Sequence, residues 1–173
     1  MYPLVVESDI TDAEGLKGAK IAVSVGTSAH YLLLTYLESM GLSEQDIELV
    51  NTNDTVTLLS SGEVQGAADQ LAKFNSLIDA GEVHVLADGT ASGTCQISAF
   101  VGRNDFCEQY PEITAKILRA VQRVDEWMAE SEENQQEASS TLAEITQREE
   151  TWFSTMYSGS NFGADLTDQD LRV

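Results

Sequence analysis

The sequence predicts an α/β fold, in which a mixed but mostly parallel sheet is flanked by helices and followed by a helical C-terminal part. Three observations support this prediction. Up to about Arg103, candidate strands and helices alternate along the chain, which is typical of βαβ units. The candidate strands are short apolar runs, as expected for strands covered on both faces. After Arg103 the apolar residues recur at helical spacing only.

Each predicted strand is a short run rich in apolar or β-branched residues. In chain order the predicted strands are Leu4–Glu7, Lys20–Val25, Ile47–Asn51, Gln65–Ala68, Val83–Ala87 and Gln96–Val101. The intervening helices are marked by an apolar face, by a capping residue at the start or by a glycine at the end. They are predicted at Ser28–Met40, from an Asp54 cap to Ser61 and from an Asp69 cap to Ala80, and Gly41, Gly62 and Gly81 end them.

The C-terminal part is predicted to be helical. Pro111 suits the first turn of a helix, and apolar residues then recur on one face of that helix. These residues are Ile113, Ile117, Val121, Val124 and Met128. The polar stretch Glu130–Gln136 interrupts the pattern, and further helices are predicted at Glu137–Ile145 and Gln147–Tyr157. A capping-box pattern at Thr167–Asp170 stands so near the last residue that the sequence is expected to be a segment of a longer protein.

The net charge excludes some classes of partner. The chain has 9 Lys and Arg against 29 Asp and Glu, which gives a formal charge of −20 at pH 7. Phosphate backbones and anionic lipid surfaces repel such a chain, so no nucleic acid and no membrane surface is expected as a partner. The sequence has no apolar run long enough to span a membrane, and its first residues lack the pattern of a signal peptide.

The sequence lacks the motifs that commonly carry catalysis or metal binding. It has no glycine-rich phosphate loop, no His-x-x-x-His pair, no Gly-x-Ser-x-Gly elbow and no Cys-x-x-Cys. Cys95 and Cys107 are too few for a zinc site and are expected to be small buried residues rather than a bridge. His84 is expected to be a partly buried residue of its strand. No metal site, no cofactor and no catalytic residue is therefore predicted.

One junction has the features of a ligand site. Gly26, Thr27, Ser28, Ala29 and His30 connect the second predicted strand to the helix after it, at the edge of the sheet where α/β proteins bind ligands. The unpaired N–H groups of the first helical turn and the positive end of the helix dipole favour a carboxylate, sulfonate or phosphate. The alternative is that Thr27 or Ser28 only caps the helix. His30 is expected to be either a neutral hydrogen-bond donor or an exposed side chain.

Three further residues are candidates for the same site. Asp69 and Gln70 follow a later predicted strand, and Thr90 lies in the loop after another. Because the carboxyl ends of parallel strands share one edge, these residues are expected near Gly26–His30. Gln70 can donate or accept a hydrogen bond toward a ligand, whereas Asp69 is favoured as a helix cap because its charge would oppose an anion.

Several segments resemble periplasmic substrate-binding proteins of ABC importers, in the group that binds sulfonates, taurine, nitrate and thiamine precursors. These segments are Leu16–Val23, Gly26–His30, Gly41–Leu42, Ser61–Ala67, Leu86–Gly89, Ser98–Phe106 and Tyr110–Glu112. Their joint order makes the resemblance specific. At the site the sequence departs from the family pattern, since Gln70 stands where relatives often carry Trp and Leu71–Ala72 replaces a common acid-Pro pair. The resemblance alone therefore does not identify the solute.

The resemblance implies that the chain contains the second lobe of a type 2 periplasmic-binding fold. Residues 15–98 would form this ligand-binding α/β lobe. Residues 1–14 would be a hinge strand and linker, and residues 99–173 would be the return hinge strand and the helices of an incomplete first lobe. The apolar face at Ile113–Met128 would then lack cover, so a dimer of this chain is one expected outcome.

The resemblance also implies a function. In this family a small solute binds between two lobes and stabilises the closed form, which membrane permease subunits recognise. Thr27, Ser28, Ala29 and His30 match the family's ligand loop. The implied location is periplasmic or extracellular, including as an anchored lipoprotein. Two alternatives on the same fold stay open, a ligand-sensing regulatory module and a thiamine-pyrimidine synthase-like enzyme. The enzyme is disfavoured because the chain lacks the cysteine-rich motif of those synthases.

Overall fold

The computed structural model describes residues 1–93, 98–158, 160 and 162, except for the side chains of residues 90 and 91. The chain divides into two compact units, Met1–Gln96 and Ile97–Val173. The first unit is α/β and the second is helical, as the sequence predicts. The expected capping box at Thr167–Asp170 and Cys95 lie outside the described residues.

The first unit is built on a five-stranded sheet with the order β3-β2-β4-β1-β5. Its strands are β1 (Leu4–Glu7), β2 (Lys20–Val23), β3 (Glu48–Asn51), β4 (Gly66–Ala68) and β5 (Val83–Ala87). Strand β2 pairs in parallel with β3 and β4, whereas β1 pairs antiparallel with β4 and β5. Since β1 runs opposite to both of its neighbours, the other four strands point the same way. The sheet is thus mixed and mostly parallel, which confirms the predicted fold class.

Helices cover both faces of this sheet. The helices of the first unit are α1 (Ala13–Leu16), α2 (Ser28–Ser39), α3 (Thr55–Ser60), α4 (Asn75–Asp79) and α5 (Gly89–Ser92), with 3-10 turns at Glu44–Asp46 and Leu71–Phe74. Successive residues of one strand pack into different hydrophobic clusters. Ile21 and Val23 pack with Leu33 and Leu37 of α2, and Ala22 packs in the opposite cluster with Phe74. This alternation explains why the strands are apolar at every position.

Several predicted elements differ from the observed ones. Strand β2 ends at Val23 rather than Val25. Residues 98–101 belong to no strand, so that part of the predicted strand Gln96–Val101 is wrong, and its first two residues lie outside the described part of the chain. Asp54 precedes α3 but its side chain makes no capping hydrogen bond. The helix predicted from Asp69 to Ala80 is split into the 3-10 turn Leu71–Phe74 and α4.

The second unit contains α6 (Asn104–Gln109), α7 (Pro111–Glu130), α8 (Glu132–Thr146) and α9 (Glu150–Tyr157). Pro111 begins α7, as predicted. Helix α7 ends at Glu130, where the predicted interruption begins. Helix α8 begins at Glu132 rather than at the predicted Glu137, because Ser131 Oγ accepts a hydrogen bond from the Asn134 amide at 3.1 Å and caps the helix. Among the described residues no helix is both long and apolar enough to cross a membrane.

The apolar stripe of α7 is buried only in part. Met128 is buried, whereas Ile113, Ile117 and Val124 are about half exposed. Cys107 of α6 is half-buried, and His84 of β5 is partly buried as expected. The dimer expected from the exposed stripe stays a prediction.

Candidate functional site

The turn between β2 and α2 is held by its own side chains. Thr27 is the N-cap of α2, and its Oγ1 donates a hydrogen bond to the Ser24 carbonyl at 2.7 Å and accepts one from the His30 amide at 3.5 Å. Gly26 has a positive φ of 82°, which a glycine adopts without strain. Ser28 and Ala29 then occupy the first helical turn, where backbone N–H groups have no partner within the helix.

His30 turns back onto this loop. Its Nδ1 accepts a hydrogen bond from the Gly26 amide at 3.3 Å. A ring nitrogen that accepts a hydrogen bond carries no proton, so Nδ1 is the unprotonated partner in this contact. Nε2 is buried and has no hydrogen-bond partner among the described residues. The His30 side chain therefore stabilises the turn through its hydrogen bond with the Gly26 amide.

A pocket of about 280 Å³ opens at this junction, and we call it the junction pocket. It lies within the first unit, where β2 and β4 end. Seven of its nine lining residues have a polar side chain, and the lining residues are Tyr2, Ser24, Thr27, Ser28, Ala29, Asn53, Ala68, Asp69 and Lys73. The first turn of α2 thus faces a cavity of a size that suits the polar head of a small molecule.

The predicted site residues are only partly brought together. Thr27, Ser28, Ala29 and Asp69 line the junction pocket. Gly26, His30 and Gln70 are their neighbours in sequence but do not line it. Thr90 lies in α5, and its side chain is outside the described part of the structure.

Asp69 anchors an ion pair and is not the predicted helix cap. Its Oδ2 accepts hydrogen bonds from Thr55 Oγ1 at 2.9 Å and from Lys73 Nζ at 2.7 Å, and its Oδ1 accepts one from the Gln70 amide at 2.7 Å. The Asp69 side chain is 15% exposed and that of Lys73 is 35% exposed. The carboxylate is therefore largely shielded from water and balanced by the Lys73 ammonium.

Gln70 does not line the junction pocket but contacts Tyr2, which does. Its Nε2 donates to the Tyr2 hydroxyl at 3.3 Å. Tyr2 is also held through its backbone, since its carbonyl accepts a hydrogen bond from the Tyr36 hydroxyl at 2.9 Å. These contacts place the N-terminal segment beside the end of β4.

Sequence reasoning missed five of the lining residues. These are Tyr2, Ser24, Asn53, Ala68 and Lys73. For Lys73 a local signal exists, because a lysine four residues after an aspartate commonly pairs with it. Tyr2 has no comparable signal, since its partner Gln70 is 68 residues away in sequence.

The fold of this chain is shared with solved structures of periplasmic binding proteins. The structure aligns with the periplasmic aliphatic sulphonate binding protein SsuA of Escherichia coli with a TM-score of 0.75 and 22% identity. That alignment covers 93% of this chain and 52% of the other. The sulfonate-binding protein SsuA of Methylobacillus flagellatus KT aligns with a TM-score of 0.68 and 27% identity, over 92% of this chain and 49% of the other.

Sequence comparison gives the family. Residues 4–135 match the family described as NMT1/THI5 like, and the chain belongs to that family. It is 28% identical over 120 residues to the taurine-binding periplasmic protein of Escherichia coli (strain K12), a match that covers 68% of this chain and 38% of that relative. The desulfurization enzyme DSZB shares the fold with a TM-score of 0.56 at 18% identity, over 98% of this chain and 62% of the enzyme. The chain thus spans between about two fifths and three fifths of the proteins it matches.

Proposed function

We propose that this chain is part of the solute-binding component of an ABC importer, and that the junction pocket binds the anionic or polar head of a small solute. The solute classes are those of the resembled group, namely sulfonates, taurine, nitrate and thiamine precursors. The observation that carries the proposal is the first turn of α2, whose Thr27, Ser28 and Ala29 line a polar pocket. Helix N-termini bind anions through their free N–H groups and their dipole.

The charge of −20 does not oppose this proposal. Exposed charges farther away than about 8–10 Å are largely screened at physiological salt. The affinity for a bound anion is therefore set by the groups that touch it, while the acidic surface mainly slows the approach of the anion.

Binding is proposed rather than catalysis because the curated relative with 28% identity is named as a binding protein. The likeness to DSZB, at 18% identity, concerns the fold alone. In the proposed mechanism the solute stabilises a closed form, since only that form contacts it from two sides, and permease subunits in the membrane recognise that form. The corresponding location is periplasmic or extracellular. A regulatory module on the same fold is distinguished by its gene neighbours, which would lack a permease and an ATPase.

The test is a titration of the full-length protein with ethanesulfonate, taurine, nitrate and a thiamine-precursor pyrimidine, followed by amide chemical shifts in NMR spectra. We expect at least one of these solutes to shift the amides of Ser28 and Ala29. The double variant Thr27→Ala/Ser28→Ala should weaken its binding at least tenfold, which corresponds to about 1.4 kcal/mol.

A matched control is Thr57→Ala/Ser60→Ala, which also removes one threonine and one serine hydroxyl. These two residues are exposed in α3 and lie outside the junction pocket. This variant should bind like the unaltered chain. Shifts that avoid the first turn of α2, or equal affinity of both double variants, would contradict the proposed site.

A further inference from the structure

We infer that Lys73 makes the junction pocket selective for solutes with a net negative charge, and that Asp69 is the positioning residue that holds the Lys73 ammonium in place. This inference rests on the proposed function, because it concerns the ligand of the same pocket. It names the solute class as small anions in preference to zwitterions.

The Lys73 ammonium is oriented and still has donors to offer. Its Nζ lies 2.7 Å from Asp69 Oδ2, and Lys73 and the first turn of α2 line the same pocket. An ammonium has three N–H donors, and within the described residues Asp69 takes one of them. The side chain is 35% exposed, so its charge is screened less than that of a fully solvated lysine. An anionic head in the pocket can therefore contact both the ammonium and the helix N–H groups.

Asp69 offers little to a positively charged group of a solute. A carboxylate has about four acceptor positions, and three of those of Asp69 are occupied by Thr55, Lys73 and the Gln70 amide. Its charge is also balanced at short range by Lys73. The pocket thus combines one cation and several N–H donors with a carboxylate that is already paired, which favours a net anion over a zwitterion of the same size.

Lys73 differs from the other lysines of the first unit in that it lines the junction pocket. The Lys and Arg residues within residues 1–93 are Lys17, Lys20 and Lys73. Lys17 bonds Glu14 at 2.6 Å, and Lys20 lies 3.9 Å from Glu48 at the amino end of β2, on the edge of the sheet opposite the pocket. Of these three, Lys73 lines the junction pocket. Lys20 is consequently a matched control for the removal of one positive charge.

The experiment compares ethanesulfonate with taurine, which has the same carbon chain and sulfonate but adds an ammonium. Both are titrated by NMR into the unaltered full-length protein and into its Lys73→Met, Lys73→Arg and Lys20→Met variants. The unaltered chain should prefer ethanesulfonate at least fivefold. Lys73→Met should weaken ethanesulfonate at least tenfold and taurine less than twofold, which removes a fivefold preference. Lys73→Arg and Lys20→Met should keep it.

The thermal midpoint of each variant separates selectivity from folding, since Lys73→Met also leaves Asp69 without its cation. If Lys73→Met unfolds the chain, Lys73→Arg decides, because a retained charge must retain the preference. A preference for taurine in the unaltered chain, or an unchanged preference in folded Lys73→Met, would overturn this inference and leave the proposed function standing. A full-length protein that binds no solute of the panel would overturn both.

Discussion

Thr27 has two roles in the turn before α2, one as a donor to Ser24 and one as the helix cap. Loss of an N-cap hydroxyl costs about 1 kcal/mol of stability. We expect Thr27→Ala to lower the free energy of unfolding by about that amount in urea titrations, and Thr27→Ser to restore most of it because the hydroxyl is retained. An equal loss in both variants would assign the effect to the threonine methyl group instead.

Ionisation of Tyr36 makes the stability of the first unit depend on pH in the alkaline range. The side chain is buried, and its hydroxyl donates to the Tyr2 carbonyl at 2.9 Å. Burial raises the pKa of Tyr36 to about 12, and the negative charge of Asp88 acts in the same direction. The ionised phenolate is thus disfavoured in the folded state, because the core cannot solvate it.

The raised pKa of Tyr36 predicts a loss of stability in alkali. An unfolded tyrosine ionises near pH 10 and folded Tyr36 near pH 12, so its contribution is fully present below about pH 10 and is lost as the pH rises through about 12. The free energy of unfolding of the unaltered chain should therefore fall over that interval. Tyr36→Phe should show a smaller fall over the same interval, although it is less stable at neutral pH. Parallel pH profiles for the two proteins would contradict this assignment.

At the scale of elements, the close packing of β4 depends on Gly66. A Cβ atom at this position would lie 2.7 Å from Ile21 Cδ1 and 3.0 Å from Val6 Cγ1, in the middle of the sheet. Overpacking of this kind costs about 1–3 kcal/mol. We expect Gly66→Ala to lower the free energy of unfolding by that amount, as measured by urea denaturation.

Gly15→Ala is the control for Gly66→Ala. Gly15 lies in α1, and a Cβ there would come no closer than 3.3 Å to Ile10 Cγ2. Alanine also has the higher helix propensity, so the two effects nearly cancel and the change should stay within about 1 kcal/mol. A Gly66→Ala variant as stable as Gly15→Ala would mean that β4 can shift to make room.

The elements that the sequence predicts best are those with a local cause. Leu4–Glu7 and Val83–Ala87 have the predicted bounds because an apolar run between polar residues defines a buried strand. The helix predicted after Asp69 is split because that carboxylate bonds Thr55 and Lys73 instead of capping the turn. Helix-capping propensity depends on a residue and its neighbours in sequence, so it does not predict a hydrogen bond to Thr55, which is 14 residues away.

The same distinction between local and long-range causes applies to the residues of the candidate site. The first turn of α2 could be predicted because strand, glycine, hydroxyl residues and helix are consecutive in the chain. Lys73 and Tyr2 could not, since their place in the junction pocket depends on how β4 and the N-terminal segment meet in the sheet. From sequence, Asp69 is therefore considered as a free carboxylate, without the Lys73 ammonium that pairs with it.

At the scale of the whole molecule, the chain has far more carboxylates than Lys and Arg side chains that could neutralise them in ion pairs. The described residues contain the ion pairs Lys17–Glu14, Lys20–Glu48, Lys73–Asp69 and Arg103–Asp105. The exposed pairs among them, which are all but Lys73–Asp69, contribute about 0–1 kcal/mol each. The formal charge is nevertheless −20, so unpaired carboxylates repel one another across the surface.

This balance predicts that salt stabilises the protein. The screening length falls from about 10 Å at 0.1 M to about 3 Å at 1 M ionic strength, which weakens repulsion between distant carboxylates more than attraction within a pair in contact. We expect the thermal midpoint to rise between 0.05 M and 1 M NaCl, by about 2–4 °C for each kcal/mol gained. KCl at equal ionic strength should act alike, because screening depends on ionic strength and not on the cation. A midpoint that falls with salt would mean that the ion pairs, and not the surplus carboxylates, dominate the electrostatic free energy of folding.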